Sequence, residues 1–181
     1  VAVLRGVVLG ELFDDILEEK FFNPFTVSLM LIIYGVILII IESSKKVKVK
    51  TKTIQELSFK TAVGIGFFQC LAMIPGTSRS AATIIGGVLL GLERVLATEF
   101  SFFLAIPTMF GASFYKIMKS GFNLSGYEVF LIALGFVLSF IISYIVIKLF
   151  LDYIKKHDFK VFGYYRIILG IVMLAFMFMT K

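Results

Sequence analysis

Three hydroxyls and one guanidinium fall within six residues, Pro75-Gly76-Thr77-Ser78-Arg79-Ser80. Side chains of these types at this spacing suit a phosphate. Arginine offers a planar fork to two oxygens, hydroxyls donate to others, and free N–H groups at the start of a following helix add partial positive charge. Screened from water, the same donors favour charge that builds up during phosphoryl transfer. The plainer alternative is a helix break whose arginine neutralises a buried glutamate or caps carbonyls. On these six residues both readings stand.

The setting of the hexapeptide limits what it can do. Arg79 is the one charged residue among the 32 of 61–92, and a guanidinium at bilayer depth costs roughly 2.5–3.5 kcal/mol on insertion scales. An anion is the natural partner. Thr53-Ile54-Gln55-Glu56 has the form of a capping box, which predicts a helix starting at Ile54. Pro75-Gly76 should end it, and Ser80 can cap a second helix over 81–92. That second leg spans about 18 Å, too short for a hydrocarbon core of about 30 Å. Residues 54–92 are therefore expected to form a re-entrant helix–loop–helix hairpin, tolerated at depth only where protein or a water-filled cavity surrounds it. Gly64, Gly66, Gly86, Gly87 and Gly91 would let the legs pack closely, with Gly87 and Gly91 as a GxxxG pair.

The elements around the hairpin read as membrane spans. The chain of 181 residues is 59% hydrophobic and 17% charged, with a mean hydropathy of +0.99, well beyond a soluble domain. Uncharged runs cover 21–41, 100–115, 129–147 and 167–180. The first and third are long enough alone, and the others need their flanks, 98–117 and 163–180. Arg166 would then sit near a membrane face and snorkel. The expected fold is an all-α integral membrane protein, a single polytopic domain over 1–181 with about four transmembrane helices plus the hairpin. Pro24 should open the first span and Pro107 should kink the second.

Charge sets orientation. The net charge is +6, but the lysines lie in short loops between apolar spans, which points to topology and anionic lipid rather than nucleic acid. Two loops, 45–52 and 148–160, hold nine lysines; the opposite segments hold Lys20, Lys116, Lys119 and Lys181. The two loops share a side if the hairpin returns to its own side and two full spans follow. That side is then cytoplasmic.

The remaining candidates have ordinary readings. Five carboxylates over 11–20 form the polar face of a short amphipathic surface helix, and Asp14 and Asp15 point about 100° apart rather than at one ion. His157 is a solvated loop residue, Glu99 pairs locally with Arg94 or lies at the surface, and Gln69 faces the cleft or makes an interhelical hydrogen bond. Cys70, the only cysteine, excludes an intrachain disulfide. There is no phosphate-loop lysine motif, HExxH or CxxC. Residues 1–12 read as the end of an apolar helix under way, so an N-terminal part of the natural protein is expected upstream.

The segment QCLAMIPGTSRSAATIIGG at 69–87 resembles the second signature of the undecaprenyl-diphosphate phosphatase (bacitracin-resistance) family. LFDD at 12–15, FSFFLAIP at 100–107 and FGYYRIILG at 162–170 extend the resemblance over essentially the whole chain. Ala81 stands where many members have glycine. The resemblance implies removal of the terminal phosphate of undecaprenyl diphosphate in a bacterial cytoplasmic membrane, recycling the lipid carrier for peptidoglycan. It also implies an inverted-repeat fold, of which this chain is the C-terminal two-thirds, and a divalent cation, Mg or Ca. By that likeness Arg79 and Ser78 are catalytic, clamping and positioning the diphosphate. Gly76, Thr77, Ser78, Arg79 and Ser80 bind substrate. The family's glutamate-rich segment and Ser/His loop have no counterpart here, so no metal ligand is assigned. A polyprenyl-phosphate transporter or flippase and a non-catalytic lipid-phosphate-binding fragment remain as alternatives. Whether the chain forms a homo-oligomer is open.

Overall fold

A computed structural model describes residues 23–44, 48–120 and 125–180. The expected surface helix at 11–20, with Asp14 and Asp15, and the first lysines of 45–52 lie outside these residues. Among the described residues the fold is helical, with one isolated bridge, Thr51 to Leu92. Four helices are long and apolar enough to cross a membrane: α1 (Pro24–Ser43) and, after the hairpin, three more introduced below.

The first span starts where its sequence says. Asn23 Oδ1 accepts from the Thr26 N–H at 2.8 Å, and Pro24 follows in the first turn, where a missing N–H leaves no bond unmade. The hairpin starts later than expected. Glu56 accepts from the N–H groups of Lys52 and Thr53, at 3.0 and 3.4 Å, but this closes only a 3-10 turn, Ile54–Glu56. Those two bonds hold the Glu56 carboxyl below the usual carboxylate range. Leu57 is extended, and Ser58 caps α2 (Phe59–Cys70) by accepting from Thr61 N–H at 3.1 Å. A second 3-10 turn, Leu71–Met73, leads into the loop, and α3 (Arg79–Leu89) leaves it. Ser78 caps α3, not Ser80, so the second leg begins two residues earlier than predicted.

Three long helices complete the chain: α4 (Arg94–Ser120, with Pro107 inside), α5 (Gly126–Lys156) and α6 (Lys160–Met179). The second basic loop is shorter than expected because α5 runs on through it. Asp152 and Lys155 pair at 3.3 Å across one helical turn, an arrangement that supports helix rather than loop.

Close packing aligns α1 against α6. A Cβ on Gly35 would meet Gly163 O at 2.7 Å, one on Gly163 would meet Gly35 O at 2.8 Å, and one on Gly170 would meet Ser28 O at 2.7 Å. These pairings run in opposite directions along the two helices, which are therefore antiparallel. The side chains of Ile167, Ile39 and Ile32 lie as close, but the backbone carbonyls cannot yield as a side chain can. Gly163→Ala is expected to destabilise by about 2 kcal/mol and lower the melting temperature in detergent by about 4–8 °C; an unchanged melt would show that the two backbones can separate at no cost.

The same geometry fixes which ends lie together. The Gly35–Gly163 contact puts the end of α1 beside the start of α6. Arg94 at the start of α4 donates to Glu42 near the end of α1, at 2.6 Å. Arg94 thus pairs with Glu42 and not with Glu99. Lys50 N–H donates to Gly91 O at 2.7 Å and Glu93 N–H to Thr51 O at 3.0 Å, tying the outer ends of the two hairpin legs at that same end. The basic stretches on either side of the bundle therefore share one end, as the charge-parity argument requires.

From there the hairpin reaches back along α1. A Cβ on Gly76 would lie 2.6 Å from Val27 O, and Val27 is about 22 Å of helix rise from Glu42. The legs pack on each other through Gly64, against Leu90, and Gly86, against Phe68. Gly91 is no part of a GxxxG stripe. It follows α3 with φ +96°, where it turns the chain toward Leu92, while Gly87 faces Ala97 of α4. Ile65, Ala82, Leu92, Ala97 and Leu104 are buried around the hairpin. The Thr83 and Ser101 hydroxyls, 2.6 Å apart, join α3 to α4 within that core.

Candidate functional site

The loop between the legs is held in a backbone shape that its residues would not adopt alone. Gly76 has φ +89°, which glycine accepts freely. Ser78 has φ +64° and ψ 118°, and it is the one non-glycine residue with positive φ among those described. Such a conformation costs on the order of 1–3 kcal/mol. It aims the serine side chain back over the first turn of α3, where Ser78 Oγ accepts from Ala81 N–H at 3.5 Å and lies 3.3 Å from Ser80 Oγ.

What holds the loop is Arg166. Its Nη2 donates to the carbonyls of Gly76, at 2.7 Å, and Thr77, at 3.1 Å, from a position on α6 some 90 residues away in sequence. Its guanidinium carbon lies 5.9 Å from the centre of the Tyr34 ring. Arg166 is therefore directed inward and does not snorkel, because two orphan carbonyls are nearer than water. Thr77 is fully buried beside it, its side chain next to that of Tyr34, and Arg166 Nε has no hydrogen-bond partner among the described residues.

Arg166 occupies the carbonyl-capping role that a plain helix break would have given to Arg79. Arg79 itself is half-buried, and its side chain makes no hydrogen bond or ion pair among the described residues. The six-residue motif is thus divided by the fold. Ser78 and Ser80 line a cavity of about 290 Å³ together with Arg166, and Leu38, Ile84, Phe150, Phe159 and Phe162 form its apolar wall. Arg79 lies outside that wall, Thr77 is in the core, and Gly76 packs against α1. Arg166 had one sign in the sequence: it is a cation inside an apolar run, the same signal that singled out Arg79.

The other candidates have structural places. Gln69 is buried and its Nε2 donates to Thr108 Oγ1 at 3.4 Å, an interhelical hydrogen bond between α2 and α4. His157 is exposed, stacked on Tyr153 with ring centres 4.2 Å apart. Among the described residues no three His, Cys, Asp or Glu side chains converge as a metal site would need.

The double duty of Ser78, strained backbone and helix cap, gives a stability test. Ser78→Gly relieves the positive φ at the cost of a few tenths of a kcal/mol in capping, so its melting temperature should equal or exceed that of the unaltered chain. Ser78→Ala keeps the strain, loses the cap and should be less stable by about 1 kcal/mol. The reverse order in a detergent melt would refute the strain.

Comparison with known proteins places this geometry. The family model described as Bacitracin resistance protein BacA matches residues 1–172. The chain belongs to the BacA family. Among its relatives, Undecaprenyl-diphosphatase 1 of Clostridioides difficile (strain 630) is 55% identical over 179 residues, 99% of this chain and 65% of the relative. The undecaprenyl-diphosphatase of Enterococcus faecalis is 51% identical, over 96% of this chain and 63% of its own length. That of Fusobacterium nucleatum is 53% identical, over 98% and 68%. The chain thus spans slightly less than two-thirds of the first two. BacA membership together with four apolar helices makes this a multi-pass protein of a bacterial membrane.

Proposed function

We propose that this chain holds the diphosphate of undecaprenyl diphosphate for hydrolysis to undecaprenyl phosphate and inorganic phosphate, the step that recycles the lipid carrier of cell-wall synthesis. The observation that carries the reading is Arg79: a cation in an apolar bundle, beside a strained hydroxyl turn, whose side chain meets no anion or carbonyl among the described residues. The names of the relatives agree with it.

In this reading the hairpin is re-entrant, with its tied ends at the basic, cytoplasmic end and its tip at depth. Arg79 clamps the terminal phosphate through its fork, and its charge counters the negative charge developing on the bridging oxygen as the P–O bond breaks. Ser78 and Ser80 donate hydrogen bonds from their hydroxyls to the phosphate next to the lipid. Gly76 lets the loop fit closely against α1, and Thr77 acts through packing. Arg166 is a positioning residue: it fixes the two carbonyls that fix the turn. Water is the second reactant, and its proton passes to the released phosphate. A divalent cation would supply further charge neutralisation, but the described residues alone do not form a cage for one, and no step here depends on it.

The test is release of inorganic phosphate from undecaprenyl diphosphate by the full-length gene product in detergent. Hydrolysis needs a single compartment, so release in micelles separates it from transport. Absence of release, with the protein folded by its melt, would overturn the proposal.

A further inference from the structure

Tyr34 stands on α1 between two groups on which the shape of the loop depends. It is 8% exposed, its side chain lies next to that of Thr77, and the Arg166 guanidinium carbon is 5.9 Å from its ring centre. Three segments far apart in sequence thus meet in one buried polar cluster inside an apolar bundle. We propose that Tyr34 is a positioning residue of the site: its ring seats the Arg166 guanidinium so that Nη2 reaches the Gly76 and Thr77 carbonyls, and its hydroxyl pairs with that of Thr77. The effect on rate rests on the function proposed above, whereas the clamp itself does not.

Hydrogen bonds alone do not fix Arg166. Both of its bonds to the loop leave from Nη2, and Nε has no partner among the described residues, so the guanidinium plane is free to swing about that one nitrogen. An aromatic face within about 6 Å restrains it, and the attraction is strongest where water is excluded. The root of the same side chain is held by the next residue of α1: a Cβ on Gly35 would lie 3.3 Å from Arg166 Cβ. The hydroxyl end has its own logic. A buried phenol needs a hydrogen-bond partner, and in an apolar span phenylalanine would fill the space without that need. Thr77, fully buried, offers a hydroxyl beside it. The same face of α1 meets the loop again at Gly76, whose Cβ would lie 2.8 Å from Val27 Cα and 3.1 Å from Met30 Cβ. Val27, Met30 and Tyr34 follow one another at helical spacing, so a single helix face carries all three contacts.

The test reads melting and phosphate release of the full-length gene product in detergent. Tyr34→Phe keeps the ring and leaves the Thr77 hydroxyl alone, and Thr77→Val does the converse. Each should lower the melting temperature by about 2–4 °C, while the two together should melt within about 1 °C of the unaltered protein, because no buried hydroxyl is then left without its partner. Tyr34→Leu removes the ring. Its kcat should fall about tenfold with KM unchanged, and adding it to Arg166→Met should cost no further rate and less melting temperature than the two single losses summed. Space filling would give additive losses, so the shortfall marks action through Arg166. A Tyr34→Phe, Thr77→Val variant that melts at the sum of its single losses would overturn the clamp, as would additive losses for Tyr34→Leu with Arg166→Met. If the unaltered protein releases no phosphate, the function proposed above falls, and the two melt cycles still decide the clamp.

Discussion

Arg79→Ala will lower kcat/KM for undecaprenyl diphosphate by about 10³-fold in the full-length gene product, with little change in its melt. The two halves of this expectation have separate causes. The loss follows from removing a preorganised cation in a dehydrated site, where one donor is worth roughly 10²–10³-fold in rate and a full charge more. The unchanged stability follows from what Arg79 does not do: it bonds to no other side chain or carbonyl among the described residues. Removing a desolvated charge leaves nothing unpaired. Arg79→Lys keeps the charge without the fork and should recover only part of the rate. Normal phosphate release by Arg79→Ala would sink the proposed function, and a large fall in melting temperature would show the arginine to be structural.

Arg166→Met should do both kinds of damage. Two hydrogen bonds from a charged donor, each worth about 1.5–3 kcal/mol, would be lost from the Gly76 and Thr77 carbonyls. Methionine fills the space but offers no donor. The Ser78 strain would then relax, shifting two hydroxyls by an ångström or so, and misplacement on that scale costs about 10²-fold in rate. A lower melt and a lower kcat are expected together. Arg166→Lys restores one donor and should recover part of each, a pattern that cavity filling alone would not give. If Arg166→Met melts and turns over normally, the loop holds its shape by itself. The two arginines are thus separable: one substitution costs rate alone, the other rate and stability.

Much of the fold was legible because membrane segments obey few rules. A span must be apolar, long enough and internally hydrogen-bonded, so the four long helices and their common basic end follow from hydropathy and lysine placement. The short second leg likewise announced a hairpin. Boundaries were less legible where local signals compete. Thr53 and Glu56 formed their bonds yet gave only a 3-10 turn, and Ser78 took the cap that Ser80 could also have made.

The sequence by itself determined the membrane class, the hairpin and the one hexapeptide with the chemistry to hold a phosphate, since composition, length and residue type are local properties. Tertiary structure decided which residues of that hexapeptide meet. It buried Thr77, strained Ser78, set Ser78 and Ser80 against an aromatic wall and left the Arg79 side chain without a partner among the described residues. It also brought in Arg166 from the last helix. Its distance in sequence hides that contact, because only the close approach of α1 and α6 over their glycines carries the guanidinium to the two carbonyls.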